Sequence, residues 1–269
     1  MGAIVNDLIL DQTFDCGQCF RWNKTNEKWI GVADGRVLIF EQSGDEINCL
    51  GASDGSEIDI INDSFIREYL DLDLDYGLIK RELAVRDPIL DEAIYAGSGI
   101  RIMKQDLWET LISFIVSQNN NIPRIKGCIE KLCSIFGEPI CEYEGKMYYS
   151  FPSVERLAAA TADEIAPVRL GYRAPYILET AKTIYNEGYI RDDLGSYKGV
   201  GPKVEACIEL FGRHNLEAFP IDVWVKRVMN RYYAIPENDV RTMKQYADEH
   251  FYPYGGIAQQ YLFYNIREK

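Results

Sequence analysis

The stretch LGSYKGVGPKVEACIELFGRHNLEAFPIDVW, residues 194–224, decides the fold of this chain. Near its start, Gly199 and Gly201 lie one residue apart, which permits left-handed backbone angles and a close approach of the backbone to another group. Pro202 follows, where the first turn of a helix tolerates proline. Apolar residues then recur at helical spacing, at Val204, Cys207, Ile208 and Phe211. The pattern predicts a glycine turn that leads directly into a helix, which Gly212 should end.

A helix that begins at a glycine turn presents unpaired backbone N–H groups to its surroundings, and these favour an anion such as a phosphate. Lys203 lies in the first turn of the predicted helix. Asp222 follows nineteen residues later, behind Pro220, at the start of another helical run. The sequence therefore predicts a phosphate-binding turn with an amine beside it and a carboxylate at the head of the next helix.

These residues resemble the helix-hairpin-helix DNA glycosylases, whose hairpin has a GVGxK-type sequence followed by Pro-x-Asp. The resemblance implies that Lys203 is the nucleophile of a member that also cuts the strand, and that Asp222 is the shared catalytic carboxylate. It also implies that Gly199 and Gly201 bind the DNA backbone through the hairpin. The alternative is a non-catalytic hairpin that only binds DNA, with Asp222 as an ordinary helix N-cap.

The composition bounds the fold and the class of protein. The chain has 269 residues, 47% of them hydrophobic, which suffices for a sizeable core and one to three domains. Neither a long apolar run nor a signal-peptide pattern is present, so we expect no membrane partner. Seven cysteines, an odd number without disulfide-type spacing, favour a reducing cytoplasm.

A net charge of −13 argues at first against a nucleic-acid partner. The charge is, however, unevenly distributed. Residues 1–100 hold 8 Lys and Arg against 20 Asp and Glu, a net charge of −12, which leaves −1 for the rest of the chain. The acidic excess therefore belongs to the N-terminal part, and the remainder is free to carry a local basic face. We expect modest, strongly salt-dependent non-specific binding to DNA.

The order of patterns along the chain predicts an α+β fold with two parts. Up to about residue 60 the chain reads as antiparallel β structure, with a hairpin whose turn contains Asp34-Gly35 between two β-rich runs. From Asp63, a plausible N-cap, the pattern becomes helical. We predict a β-rich N-terminal domain at residues 1–95, packed on a mostly helical region at 96–269 with the helix-hairpin-helix at about 191–212.

Four further segments of the second part are predicted to be helical. Residues 105–118 form an apolar helix that ends in a polar loop of three asparagines, and a second helix runs from Ile122 to Gly137. A glycine turn at residues 170–173 precedes another helix. In the last helix, Gln259 and Phe263 are four residues apart and share a face.

Read together, these segments resemble the 8-oxoguanine DNA glycosylase/lyases of the helix-hairpin-helix superfamily over nearly the whole chain. The stretch GQCFRW, residues 17–22, resembles the N-terminal strand motif GQ-x-FRW of that family. The resemblance implies that the Gly17 carbonyl accepts the N–H that distinguishes oxidised guanine from guanine. From the residues alone, Cys16 and Cys19 are two strand residues, with a metal-binding Cys-x-x-Cys as the less favoured alternative because no second pair follows.

The resemblance also implies which residues contact DNA. In SQNNNIPRI, Asn119 would fill the gap left by the extruded base, and Arg124 would contact the orphaned cytosine. In LGYRAPY, Tyr172 would wedge the duplex and Arg173 would be a second cytosine reader. Gln259 would bind the pairing edge of the base, which would lie between Cys207 and Phe263. Taken one at a time, each of these residues also has an ordinary explanation as core or as surface.

Two departures qualify the resemblance. Trp224 stands where better-known relatives have a histidine, so a phosphate contact is in question at that position. Pro123 and the short N-terminal part indicate a compact prokaryotic-type member. No cluster of four cysteines follows Cys207, so the resemblance implies neither an iron–sulfur cluster nor any other metal or cofactor.

The expected activity is excision of 8-oxoguanine from duplex DNA through a lysine Schiff base, followed by β-elimination at the abasic site. The expected partner is double-stranded DNA that contains oxidised guanine. We expect a monomer in a prokaryotic cytoplasm, associated with the nucleoid. The alternatives are a DNA-binding module without chemistry and a glycosylase for another damaged base, such as alkylated adenine or oxidised pyrimidine.

Overall fold

The computed structural model describes residues 2–268 and has the predicted α+β class. Its N-terminal part contains one antiparallel sheet in the order β1-β5-β4-β3-β2, with β6 paired to β5. The strands are β1 (Ala3–Ile4), β2 (Asn23–Thr25), β3 (Lys28–Ala33), β4 (Arg36–Ser43), β5 (Glu46–Gly51) and β6 (Glu57–Ile58). A separate hairpin of β7 (Pro139–Tyr143) and β8 (Lys146–Tyr149) lies within the helical part.

The predicted hairpin is confirmed as β3 and β4. Val32 pairs with Val37 and Ala33 with Arg36, so the connecting loop contains two residues. Asp34 and Gly35 adopt φ angles of 52° and 65°. Positive φ at both central residues matches the right-handed twist of the flanking strands, which explains why Asp-Gly was a reliable signal.

Thirteen α-helices are described. Four lie before residue 100: α1 (Leu10–Asp15), α2 (Ser64–Tyr69), α3 (Tyr76–Arg86) and α4 (Pro88–Ala96). The loop of three asparagines lies between α5 (Leu107–Ser117) and α6 (Ile122–Phe136). The remainder are α7 (Val154–Ala158), α8 (Ala162–Ile165), α9 (Ala174–Glu187), α10 (Pro202–Gly212), α11 (Val223–Tyr233), α12 (Val240–His250) and α13 (Gly255–Glu268).

The buried side chains form two main clusters. The smaller one lies between the sheet and helices α1 and α2, around Phe14, Trp22 and Phe40. The larger one fills the helical part and also takes in Leu83 and Leu90, which belong to α3 and α4. These two helices therefore share their core with the C-terminal region, although the predicted division assigns them to the N-terminal domain. The division at residue 95 stays a prediction.

The segment that carries Gly17 is not a strand, and that part of the prediction was wrong. Residues 16–22 form an irregular loop between α1 and β2. Gly17 has a φ of 84°, which a strand does not accommodate. The buried Gln18 side chain donates to the carbonyls of Thr13 and Arg101, at 2.9 and 2.8 Å, so side-chain hydrogen bonds replace a strand ladder here.

Candidate active site

The glycine turn leads into α10 as predicted, with Pro202 in the first helical turn. Gly199 has a φ of 83°, and a Cβ atom there would lie 2.3 Å from Cδ2 of Tyr176. Only glycine fits this position. Gly201 is the N-cap, and its surroundings are open. Because no side chain caps the helix, its first N–H groups are available to an external anion.

Lys203 projects from the first turn of α10 towards the interior. Its Nζ atom lies 5.5 Å from the centre of the Phe114 ring on α5. Cys207, one turn further along α10, is 3% exposed. Burial raises the pKa of the Cys207 thiol, and the neighbouring Lys203 opposes that rise. The cysteine therefore stays a neutral, apolar surface beside the amine.

Asp222 is the N-cap of α11, as its sequence context predicted. Its Oδ1 atom accepts hydrogen bonds from the N–H groups of Trp224 and Val225, at 2.9 and 2.8 Å. Burial raises the pKa of Asp222 above its ordinary value, while the Val225 N–H and the charge of Lys203 oppose this. The carboxylate is thus a cap and also a partly desolvated charge near the amine.

One small cavity brings together the residues predicted for catalysis and base recognition. Its volume is about 50 Å³, enough for a few water molecules. The predicted residues that line it are Gly17, Lys203, Cys207, Asp222, Gln259 and Phe263. The lining residues that were not predicted as site residues are Cys16, Phe114, Phe211, Pro220 and Gln260.

Gln259 is buried in this cavity, and one of its polar atoms has no hydrogen-bond partner. The residue is 4% exposed, and its Oε1 atom accepts no hydrogen bond within residues 2–268. A buried amide oxygen without a partner is costly and rare in native proteins. Phe263, one turn along α13, is only partly buried and has the Arg267 guanidinium 5.6 Å from its ring centre. A polar ligand edge in the cavity would supply the partner that Gln259 lacks.

Lys203 also borders a second, larger space. A groove of about 1100 Å³ lies between α10 and α12, and Pro202 and Lys203 form part of its wall. Lys203 therefore borders both the small cavity and this groove.

The predicted DNA-contacting loops lie next to each other. Asn119 is exposed and has a φ of 45°, and Arg124 is exposed on the first turns of α6. Tyr172 is 49% exposed, and its hydroxyl donates to the Gln118 carbonyl at 3.4 Å. Gap-filling and duplex-wedging side chains must be exposed before DNA binds, and Asn119 and Tyr172 meet that requirement.

Arg173 is placed differently from the other predicted DNA-contacting residues. It is 5% exposed, and its guanidinium donates to backbone carbonyls of Gln118, Asn119 and Leu170. These bonds tie the asparagine loop to the turn that carries Tyr172. In this state Arg173 links two loops, and its role as a cytosine reader stays a prediction.

Three further observations concern the predictions about a metal, a membrane span and the position of Trp224. In the part of the chain that is described, His, Cys, Asp and Glu side chains nowhere gather in threes suited to a metal. Within residues 2–268, each helix is too short or too polar to cross a membrane. Trp224 packs under the Arg227 guanidinium, which lies 4.7 Å from its ring centre. A cation therefore lies beside Trp224, the residue at the position where better-known relatives have a histidine.

Two family models match consecutive parts of the chain. Residues 3–111 match the N-terminal domain of 8-oxoguanine DNA glycosylase, and residues 112–252 match the HhH-GPD superfamily of base excision DNA repair proteins. The N-glycosylase/DNA lyase of Saccharomyces cerevisiae is 33% identical, over 87% of this chain and 70% of that protein. The probable N-glycosylase/DNA lyase of Methanothermobacter thermautotrophicus is 29% identical, over 74% of this chain and 73% of that protein.

A solved structure extends the similarity to three dimensions. The 8-oxoguanine glycosylase/lyase of Clostridium acetobutylicum, in complex with double-stranded DNA containing cytosine opposite 8-oxoguanine, is 38% identical with a TM-score of 0.89. The match covers 97% of this chain and 92% of that one. The chain belongs to the HhH-GPD superfamily of base excision DNA repair proteins and carries the N-terminal domain of the 8-oxoguanine DNA glycosylases.

Proposed function

We propose that this protein is a bifunctional DNA repair glycosylase, which excises 8-oxoguanine from duplex DNA and then cleaves the abasic strand. One observation carries the proposal. Lys203, in the first turn of the uncapped helix α10, and Asp222, the N-cap of α11, line the same cavity as Gln259, whose buried amide oxygen has no partner. Family membership adds a scaffold whose relatives are N-glycosylase/DNA lyases. The chain therefore has a nucleophile, a carboxylate and a base-binding group in one place.

Binding begins with extrusion of the damaged nucleotide, because a base inside a duplex is shielded from the enzyme. The uncapped N-terminus of α10, with Gly199 and Gly201, binds phosphates of the bent strand without reading sequence. Asn119 and Tyr172 occupy the gap and offset part of the unstacking cost of a few kcal/mol. Arg124, and Arg173 if its carbonyl bonds are released, contact the orphaned cytosine.

Recognition of the lesion uses the walls of the cavity. Cys207 and Phe263 enclose the two faces of the base, and Gln259 pairs with its Watson–Crick edge. The Gly17 carbonyl accepts the N–H that oxidised guanine has and guanine lacks. With guanine in the cavity, this carbonyl would stay unpaired, at a cost of about 1–3 kcal/mol.

Catalysis is nucleophilic substitution at the sugar. The deprotonated Lys203 amine forms a bond to C1′, the bond from C1′ to the base breaks, and the base leaves with the electron pair and takes up a proton. Loss of a proton from nitrogen and opening of the sugar ring give the Schiff base. Loss of a C2′ proton then breaks the C3′–O bond, which is β-elimination. Asp222 stabilises the positive charge that develops on the sugar.

The proposal is tested with duplexes that each contain one defined lesion. Borohydride should trap a covalent adduct on 8-oxoguanine duplexes, and the panel should include all four opposite bases to measure the preference for cytosine. A module that only binds DNA would bind without leaving an adduct. A glycosylase for another base would excise alkylated adenine or an oxidised pyrimidine faster than 8-oxoguanine. Either result would contradict the proposal.

Gln259→Ala should slow excision of 8-oxoguanine without unfolding the protein. The variant removes the amide that pairs with the base, and it also removes a buried, unpartnered oxygen, so the folded state loses little. We expect a decrease of about 10-fold or more in the single-turnover rate. Gln245 is an exposed glutamine on α12, so Gln245→Ala is the matched control and should retain the wild-type rate. An unchanged rate for Gln259→Ala would argue against base pairing by this residue.

We also propose that the protein acts as a monomer on double-stranded DNA in the cytoplasm, in association with the nucleoid. A single chain supplies every group that the reaction needs, which supports the monomer. All seven cysteines are free, as expected in a reducing compartment. The positions of the proposed functional groups along the chain support the two predicted domains, since residues 1–95 provide Gly17 and residues 96–269 provide the nucleophile.

A further inference from the structure

Three successive carbonyls in the loop after α1 differ in their hydrogen bonding. The Cys16 carbonyl accepts a bond from Nε2 of Gln260, at 2.7 Å. The Gln18 carbonyl accepts one from Nε2 of Gln105, at 2.8 Å. Between them, the Gly17 carbonyl is not the acceptor of any hydrogen bond formed among residues 2–268. Two glutamine side chains thus hold the carbonyls on either side of that of Gly17, a residue that lines the cavity.

Gln260 is well suited to hold this loop in a fixed conformation. It is 2% exposed on α13, next to Gln259, and its bond to Cys16 joins residues that are 244 positions apart in the chain. Gly17 itself has a φ of 84° and no side chain to restrain it. Without the bond from Gln260, the Cys16–Gly17 peptide would lose its anchor. Because Gly17 has no Cβ to restrict its dihedral angles, the next peptide, which carries the Gly17 carbonyl, could then change direction.

We propose that Gln260 is a positioning residue for lesion recognition, which fixes the Gly17 carbonyl in the direction that reads the N–H of oxidised guanine. The inference rests on the proposed function, because it requires Gly17 to contact the base. Gln260 itself touches the protein backbone and not the reacting atoms. Its effect should therefore be confined to the step that needs a base in the cavity.

The β-elimination step separates this role from a general structural one. An abasic site contains no base, so its cleavage needs Lys203 but not the Gly17 carbonyl. Gln260→Met keeps the length of the side chain and removes the amide donor. We expect single-turnover excision of 8-oxoguanine to fall about 10- to 100-fold, with cleavage of a preformed abasic duplex within about twofold of wild type.

A matched control and a second variant complete the design. Gln12→Met removes a half-buried glutamine whose partners, the Ala96 carbonyl and the Gly99 N–H, lie outside the Gly17 loop, and both activities should be retained. Gln260→Glu cannot donate to Cys16 when ionised, but the protonated acid can. Its excision rate, divided by that of Gln260→Met at the same pH, should rise on acidification.

The outcomes are distinct. Excision by Gln260→Met within about twofold of wild type, or a parallel loss of excision and abasic cleavage, would overturn the inference. If Gln260→Met melts well below wild type, the Gln260→Glu ratio decides: a rise at acidic pH supports positioning, and a flat ratio overturns it. Failure of the wild-type protein to form any borohydride adduct would instead refute the proposed function itself.

Discussion

Lys203→Gln should abolish both excision of 8-oxoguanine and borohydride trapping, while binding of lesion DNA survives. Glutamine has a similar length but no nucleophilic amine, so the bond to C1′ cannot form. The uncapped N–H groups of α10, which would bind phosphate, belong to the backbone and are unaffected. Single-turnover excision and gel detection of the trapped adduct should both fall to background, with the dissociation constant for lesion DNA close to that of wild type.

Lys131→Gln is the matched control for this variant, because Lys131 is an exposed lysine on α6. It should form the adduct at the wild-type rate. A trapped adduct that persists in Lys203→Gln would show that another amine attacks the sugar. Loss of DNA binding in the same variant would show that Lys203 serves mainly as a cation for the backbone.

Asp222→Asn should separate binding from chemistry. Asparagine remains a good N-cap for α11, and burial already disfavours the ionised carboxylate in the folded state, so the melting temperature should not fall. The variant lacks the negative charge that faces the developing sugar cation. In a site with little water we expect excision to slow by about 100-fold or more. Lesion binding should be retained or tighter, since a repulsion with phosphate is removed.

The pH profile provides a signature of this carboxylate. Because the pKa of Asp222 is raised, protonation on acidification begins at a higher pH than for an exposed aspartate. The rate of wild-type excision should therefore decline as the pH falls through that raised pKa, and Asp222→Asn should not show this decline at acidic pH. Asp239→Asn is the matched control, since Asp239 caps α12 outside the base cavity. A near-wild-type rate for Asp222→Asn would leave Asp222 as an ordinary cap.

Local signals in the sequence account for the elements that were predicted well. The Asp34-Gly35 turn, the start of α10 at Pro202 and the N-cap of α11 at Asp222 each depend on residues within a few positions of one another. Helix α6 was predicted to end at Gly137, and it ends at Phe136 with Gly137 as its C-cap. In each case short-range backbone geometry and the local chemistry of the side chain agree.

Long-range hydrogen bonds account for what the sequence did not show. The Gly17 loop was predicted to be a strand because it lies in a β-rich stretch and resembles the strand motif GQ-x-FRW, but buried glutamines hold it in another conformation. Gln260 was overlooked for the same reason, since its partner is 244 residues away. The site also contains Phe114, whose place near Lys203 depends on how α5 packs against α10. A single sequence does not show such contacts.

The bonds from Arg173 to the Gln118 and Asn119 carbonyls have a mechanical consequence. Because one buried guanidinium joins the asparagine loop to the turn bearing Tyr172, we expect the two loops to keep a fixed position relative to each other, as one two-loop probe. While these bonds persist, Asn119 and Tyr172 would enter the duplex together, before any release of Arg173 to the orphaned cytosine. The ordering of the probe occurs once, when the chain folds, and is not repeated at every base pair that the protein tests.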